Sequence, residues 1–170
     1  MKRLLFVLSA LLLTACGGSS SGGGSIIANG NNNNNNNNTQ TNKTNNSFPS
    51  TALINYLKSQ GIKSLANEVP AYPNADEYEY QTATNEGVES FYVACIVSSS
   101  NAMNNAVSEF ISICQSCSYT VGAESTYYYA SESSNQLYIG FYPTTGQEAN
   151  GKTVYALLIV YTALTQYSSY

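Results

Sequence analysis

The chain contains no histidine and no tryptophan, and its one arginine is Arg3. Without His the commonest general base is missing, and with it every Ser-His-Asp or Cys-His arrangement. Without Arg past position 3, no planar guanidinium remains to clamp a carboxylate or phosphate. Cations are scarce altogether. Past residue 16, Lys43, Lys58, Lys63 and Lys152 face ten acidic residues, a formal side-chain charge of minus six. Nucleic-acid binding depends on neutralising phosphates with Lys and Arg, so no nucleic-acid partner is expected. No Gly-rich phosphate loop stands between a strand and a helix. The D-x-D-x-D-G calcium pattern is absent, and three thiols without His make a poor zinc set. These absences predict a chain that is not an enzyme and carries no cofactor and no metal.

Long apolar runs are also lacking. The one at the start, residues 4–13, follows Lys2 and Arg3 and falls well short of the roughly 20 residues a membrane-spanning helix needs. A basic start, a short apolar stretch and small residues before a cysteine fit an export signal. The closing Leu13-Thr14-Ala15-Cys16 resembles the lipobox of bacterial lipoprotein precursors. The resemblance implies that residues 1–15 are a signal peptide removed by signal peptidase II. Cys16 would then be the lipidated first residue of the mature chain, carrying diacylglycerol on its sulfur. It also implies an extracytoplasmic address, at a bacterial membrane in the envelope or at the cell surface. The membrane would be met through lipid alone, and two or more acyl chains anchor stably where one does not.

From 16 to 47 the sequence is mostly Gly, Ser, Asn and Thr, with an unbroken Asn run at 31–38. Such a segment cannot repay its ordering entropy, which predicts a disordered tether. As a coil it gives a reach on the order of 30 Å, and about 100 Å when stretched. Residues 48–170 are left for a single domain, enough for one core.

Periodicity predicts an α+β domain, one small antiparallel sheet on a main helix, in the order α-β-β-α-β-β-β. Leu53, Ile54 and Leu57 share a helical face within 51–60; Ser47 or Ser50 offers a cap and Gly61 an end. Residues 78–83 alternate as a strand, Thr84-Asn85-Glu86-Gly87 supplies a turn, and 88–98 form a second strand. Ser99-Ser100-Asn101 can cap a helix whose Met103, Val107, Phe110, Ile111 and Cys114 make an apolar stripe. Strands are expected at 119–121, 126–130, 137–142 and 153–163, with turns at Ser133-Ser134-Asn135 and Thr145-Gly146. The last strand is apolar on both faces, with Val154, Ala156, Leu158 and Val160 on one and Tyr155, Leu157, Ile159 and Tyr161 on the other. That pattern belongs to a central strand covered on both sides.

Three side-chain groups remain. Cys95, Cys114 and Cys117 are disulfide candidates in an exported chain. At standard rises Cys95 lies roughly 13 Å, and Cys114 roughly 20 Å, below the turn joining strand to helix. Height thus favours pairing Cys95 with Cys114, and Cys95 with Cys117 stays open. Cys114-x-x-Cys117 also fits a redox motif, but it falls at a helix C-terminus, where the dipole disfavours a thiolate. Asp76, Glu77 and Glu79 form the densest acidic group; Glu77 and Glu79 share a face, as on a charge-protected sheet edge. Finally, fifteen Tyr lie at or beyond position 56. Most suit strands by propensity alone, but Tyr155, Tyr161, Tyr127 and Tyr129 are candidates for a binding face.

Together these features predict a lipid-anchored lipoprotein whose Tyr-rich domain binds a protein or glycan partner or serves an envelope-structural role. The competing expectation is an inhibitor of a cationic, envelope-targeting hydrolase, a lysozyme-inhibitor-like role. A carboxylate hydrolase or a CxxC redox protein ranks below both.

Overall fold

The computed structural model describes residues 42–45, 47–65, 67–134, 136–148 and 150–164. The expected signal peptide, Cys16 and most of the expected tether lie outside these residues. The described chain runs β1 (Asn42–Asn45), α1 (Ser50–Ser59), β2 (Glu77–Asn85), β3 (Val88–Val97) and α2 (Ser100–Ser116). It continues through β4 (Thr120–Ala123), β5 (Tyr128–Ser131), β6 (Leu137–Gln147) and β7 (Thr153–Ala163). Every strand pairing is antiparallel, in one open sheet of order β1-β2-β3-β7-β6-β5-β4. This is the α+β architecture that the periodicity predicts, with β7 fourth of seven and therefore central.

Local chemistry fixes the element ends. The α1 helix starts behind Pro49 with no side-chain cap, so neither Ser47 nor Ser50 caps it. It ends in a Schellman turn: Gly61 at φ 85° donates to Lys58 O, and Ile62 donates back to Leu57 O. Ser99 caps α2, accepting from the Ala102 amide at 3.1 Å. The other end of α2 repeats the Schellman pattern with Ser118 at φ 63°, where Ser118 N donates to Gln115 O and Tyr119 N to Cys114 O. The β2–β3 hairpin closes on Glu86 and Gly87, both at positive φ, as a tight two-residue turn requires.

Alternation assigns one sheet face to the helices. Tyr78, Phe91, Val93, Cys95, Ile139, Phe141, Leu157, Ile159 and Tyr161 join Leu53, Tyr56 and Leu57 of α1 and Ala106, Val107, Phe110 and Cys114 of α2 in one core. Burial of each large apolar side chain here contributes about 1.5–3 kcal/mol. Phe110 meets Phe141 edge to face, with ring centroids 4.9 Å apart, tying α2 to the sheet. The predicted stripe on α2 does face the core.

Three expectations need correction. Asn42–Asn45, at the end of the expected tether, forms β1 and pairs with β2, bringing Lys43 opposite Glu79 in the register. Backbone pairing orders these residues although their side chains offer little to bury. Glu79 lies fully buried, not on a solvated edge. The third is the turn at Thr145-Gly146: β6 continues through both residues, paired to Tyr155 and Val154. The reversal comes later, where Gly151 at φ 82° donates to Glu148 O. A long partner strand outweighs the local turn preference of Thr-Gly.

Candidate functional site

The tyrosines divide into two populations. In the first, which serves the core, Tyr56, Tyr72, Tyr78 and Tyr161 spend their hydroxyls on the chain itself. Tyr161, fully buried, donates to Pro70 O at 2.6 Å, across 91 residues of sequence. Tyr78 donates to Tyr72 O at 2.9 Å, and Tyr72 donates to Glu109 Oε2 at 3.1 Å. Tyr56 donates to Glu89 O at 2.8 Å. Through these bonds the loop around Pro70 and Pro73 is fastened to the sheet and to α2. A buried phenol needs such a partner, which is why Tyr stands where Phe would fill the same volume. Burial pushes ionisation of Tyr161 well above the ordinary tyrosine range.

The second population lies on the opposite face, over β4, β5 and β6. Register puts Gly122, Tyr129 and Gly140 in one cross-strand row, with Ser131 and Tyr138 paired in the next. The flanking glycines leave room for a ring to lie down. A Cβ on Gly122 would overlap ring atoms of Tyr129. Tyr129 stacks on Tyr138 with centroids 6.0 Å apart and planes 14° apart, and Tyr127 lies 6.4 Å from Tyr129. All three rings are half-buried. The Tyr138 phenol is held protonated by burial first, then by the charge of Tyr127 and a hydrogen bond to it, with Tyr129 and Glu124 adding to the effect. Toward the sheet centre this row runs into a second apolar cluster of Tyr92, Ala94, Tyr142, Leu158 and Val160.

The four tyrosines singled out as a binding face therefore do not share one. Tyr127 and Tyr129 stand on the face that is free of helix among the described residues. Tyr155 and Tyr161 alternate onto the helix side, and Tyr161 belongs to the core. The sequence reading missed Tyr138. Its signal is the simple alternation of Leu137, Ile139 and Phe141, which turns Tyr138 to the other side.

Charge on this stretch has one sign. Residues 118–147 contain Glu124 and Glu132 and no Lys or Arg. Glu132 is nearly fully buried and accepts a hydrogen bond from the Ser134 hydroxyl, and the charge of Glu124 reaches Tyr138.

Among the described residues Cys95, Cys114 and Cys117 are free thiols. Cys95 and Cys114 are buried and Cys117 is partly exposed. Burial pushes the Cys114 thiol up to about 12, with the neighbouring Cys117 adding to the shift, and burial alone raises that of Cys95. Among the described residues, no group of three or more His, Cys, Asp or Glu side chains is placed to hold a metal ion. No described helix is long and apolar enough to cross a membrane. Comparison with protein-family models, with curated proteins and with solved structures finds no match.

Proposed function

We propose that this chain is a lipid-anchored, non-catalytic binding lipoprotein of the bacterial envelope, whose helix-free sheet face over β4–β6 receives a basic protein segment. The observation that carries the reading is the stacked Tyr129–Tyr138 pair, with Tyr127 beside it and Glu124 adjoining, in a stretch without Lys or Arg. Tyrosine rings offer large contact area at low entropy cost and attract cations over their faces. A carboxylate at the rim favours the same ligand charge, and the net acidity of the domain steers a basic partner toward it. The ending Leu13-Thr14-Ala15-Cys16 supplies the anchor and the address.

The test uses the mature chain, an oligolysine peptide and, in parallel, a neutral chito-oligosaccharide. The peptide should bind with an affinity that falls as salt rises, and the double variant Tyr129→Ala/Tyr138→Ala should lose about tenfold or more. Glu124→Gln should weaken binding and reduce the salt dependence. Binding of the oligosaccharide alone, or unchanged peptide binding in the double variant, would overturn the reading.

A second reading takes the same face as an inhibitor of a cationic hydrolase, which the formal charge of minus six past residue 16 favours. It requires that the chain slow lysozyme on cell-wall substrate, and that Tyr138→Ala relieve the inhibition.

A further inference from the structure

The end of α2 gathers groups that the binding reading does not use. Cys114 and Cys117 are the last-turn and cap residues of the helix, and Tyr119 N donates to Cys114 O at 2.9 Å. The β4–β5 register, with Thr120 opposite Ser131, brings Tyr119 opposite Glu132 on the helix side of the sheet. Both are almost fully buried, and neither the Tyr119 hydroxyl nor Glu132 Oε2 has a hydrogen-bond partner among the described residues. Burial first, then the charges of Glu132, Cys117 and Cys114, hold the Tyr119 phenol protonated. A buried acceptor and a buried hydroxyl left open beside a Cys-x-x-Cys pair demand an explanation, since buried polar groups are normally hydrogen-bonded.

We propose that Cys114 and Cys117 are a redox couple that closes to a disulfide within the last turn of α2, with Glu132 taking the proton released by Cys114. Helical rise and radius put their Cα atoms about 5 Å apart, inside the disulfide range of about 4.4–6.8 Å. Cys117 has left regular helix, at φ −82° and ψ 10°, so the turn can tighten to bring the sulfurs together. Cys95 stands on β3, in the sheet layer facing α2, and shares no helical turn with either cysteine.

The chemistry needs a disulfide oxidant, such as oxidised glutathione. Cys117, the partly exposed thiol, gives its proton to solvent and attacks one sulfur of the oxidant. The oxidant's S–S bond breaks, and the first reduced thiol leaves. Cys114 then passes its proton to Glu132 Oε2 and attacks Cys117 Sγ, expelling the second reduced thiol. Glu132 returns the proton to solvent. The protein dithiol has lost two electrons and two protons, and the oxidant has gained both. Burial, with the neighbouring Cys117 adding to it, disfavours the Cys114 thiolate, and Cys114 lies at the negative end of the helix dipole. The reduced form thus lacks the stabilisation that makes a dithiol strongly oxidising, and the couple is poised toward the disulfide. The groups around it are Cys114 and Cys117 on α2, Tyr119 before β4, Glu132 after β5, Tyr161 on β7 and Cys95 on β3.

The reduced mature chain is mixed with oxidised glutathione, quenched in acid and mapped by mass spectrometry after alkylation. A Cys114–Cys117 bridge is expected, with Cys95 alkylated only after denaturation. A bridge that includes Cys95, or a lasting mixed disulfide on Cys117, overturns the pairing. In Glu132→Gln the first attack should keep its rate, and closure should slow about 10- to 100-fold near neutral pH. Equal closure rates overturn the role of Glu132. Tyr119→Phe keeps the carboxylate and should close at close to the wild-type rate, which separates proton transfer from damage to the turn.

Discussion

Raising the pH should unfold this domain cooperatively, and the structure sets where. Tyr92, Tyr142 and Tyr161 are less than 10% exposed, and Cys95 and Cys114 are fully buried. Burial leads the causes in every case and holds each group protonated: Tyr142 and Cys114 are both pushed up to about 12, and the other three move in the same direction. In the unfolded chain these phenols ionise near pH 10 and the thiols near 8.5–9. Above those values the unfolded state releases protons that the native state keeps, so stability falls as pH rises. Below them the stabilisation is fully present. Each group ionised only when unfolded contributes about 1.4 kcal/mol per pH unit. The two thiols alone remove about 3 kcal/mol between pH 9 and 10, and all five remove about 7 kcal/mol per unit above that. A net stability of about 5–15 kcal/mol is exhausted within one to two units. The assay is circular dichroism and phenolate absorbance recorded on the same reduced sample from pH 8 to 12. Loss of fold and the main rise in phenolate should coincide, near pH 10.5–11.5 by this arithmetic. Gradual ionisation of all fifteen tyrosines around pH 10 with an unchanged fold would refute the placement of these rings.

Two substitutions probe the two tyrosine populations separately. Tyr161→Phe keeps the ring volume but orphans Pro70 O, and should cost about 1–3 kcal/mol in urea unfolding without changing oligolysine affinity. A neutral effect on stability together with lost binding would move Tyr161 out of the core. Gly122→Ala places a methyl where the Tyr129 ring lies. It should break the Tyr129–Tyr138 stack, weaken oligolysine binding severalfold and leave urea stability within about 1 kcal/mol, because the site is on a short outer strand. Unchanged binding would mean that the stacked pair is not the contact.

What was legible in the sequence was whatever rests on periodicity. The stripe on α2 and the two apolar faces of β7 each predicted the right neighbour, because burial follows side-chain direction along a helix or strand. Gly61 announced the end of α1, because only a residue content at positive φ closes that turn easily. The misses have other causes. Backbone pairing recruits Asn42–Asn45 into the sheet, and no side-chain pattern reports it. Composition suggested an exposed edge for Glu79, whereas β2 lies inside the sheet and that side chain is buried. Which of Cys95, Cys114 and Cys117 pair was left open, because spacing along the sequence reports height within a layer and nothing of how the layers meet. The candidate site was half visible: Tyr127 and Tyr129 were chosen for composition, but the alternation that excludes Tyr155 and Tyr161 and adds Tyr138 requires knowing which face the helices cover.

The position of β1 has a mechanical consequence. With the anchor proposed at Cys16, any pull between membrane and partner enters the fold through Asn42 and leaves near β4–β6, so the load crosses the whole width of the sheet. The first link to feel it is a short one: four residues of β1 held to β2 along one edge. Peeling them frees about 13 Å of chain at 3.3 Å per residue and leaves the core from β2 to β4 intact. β1 then acts as a fuse, yielding first under tension and re-pairing when the tension drops.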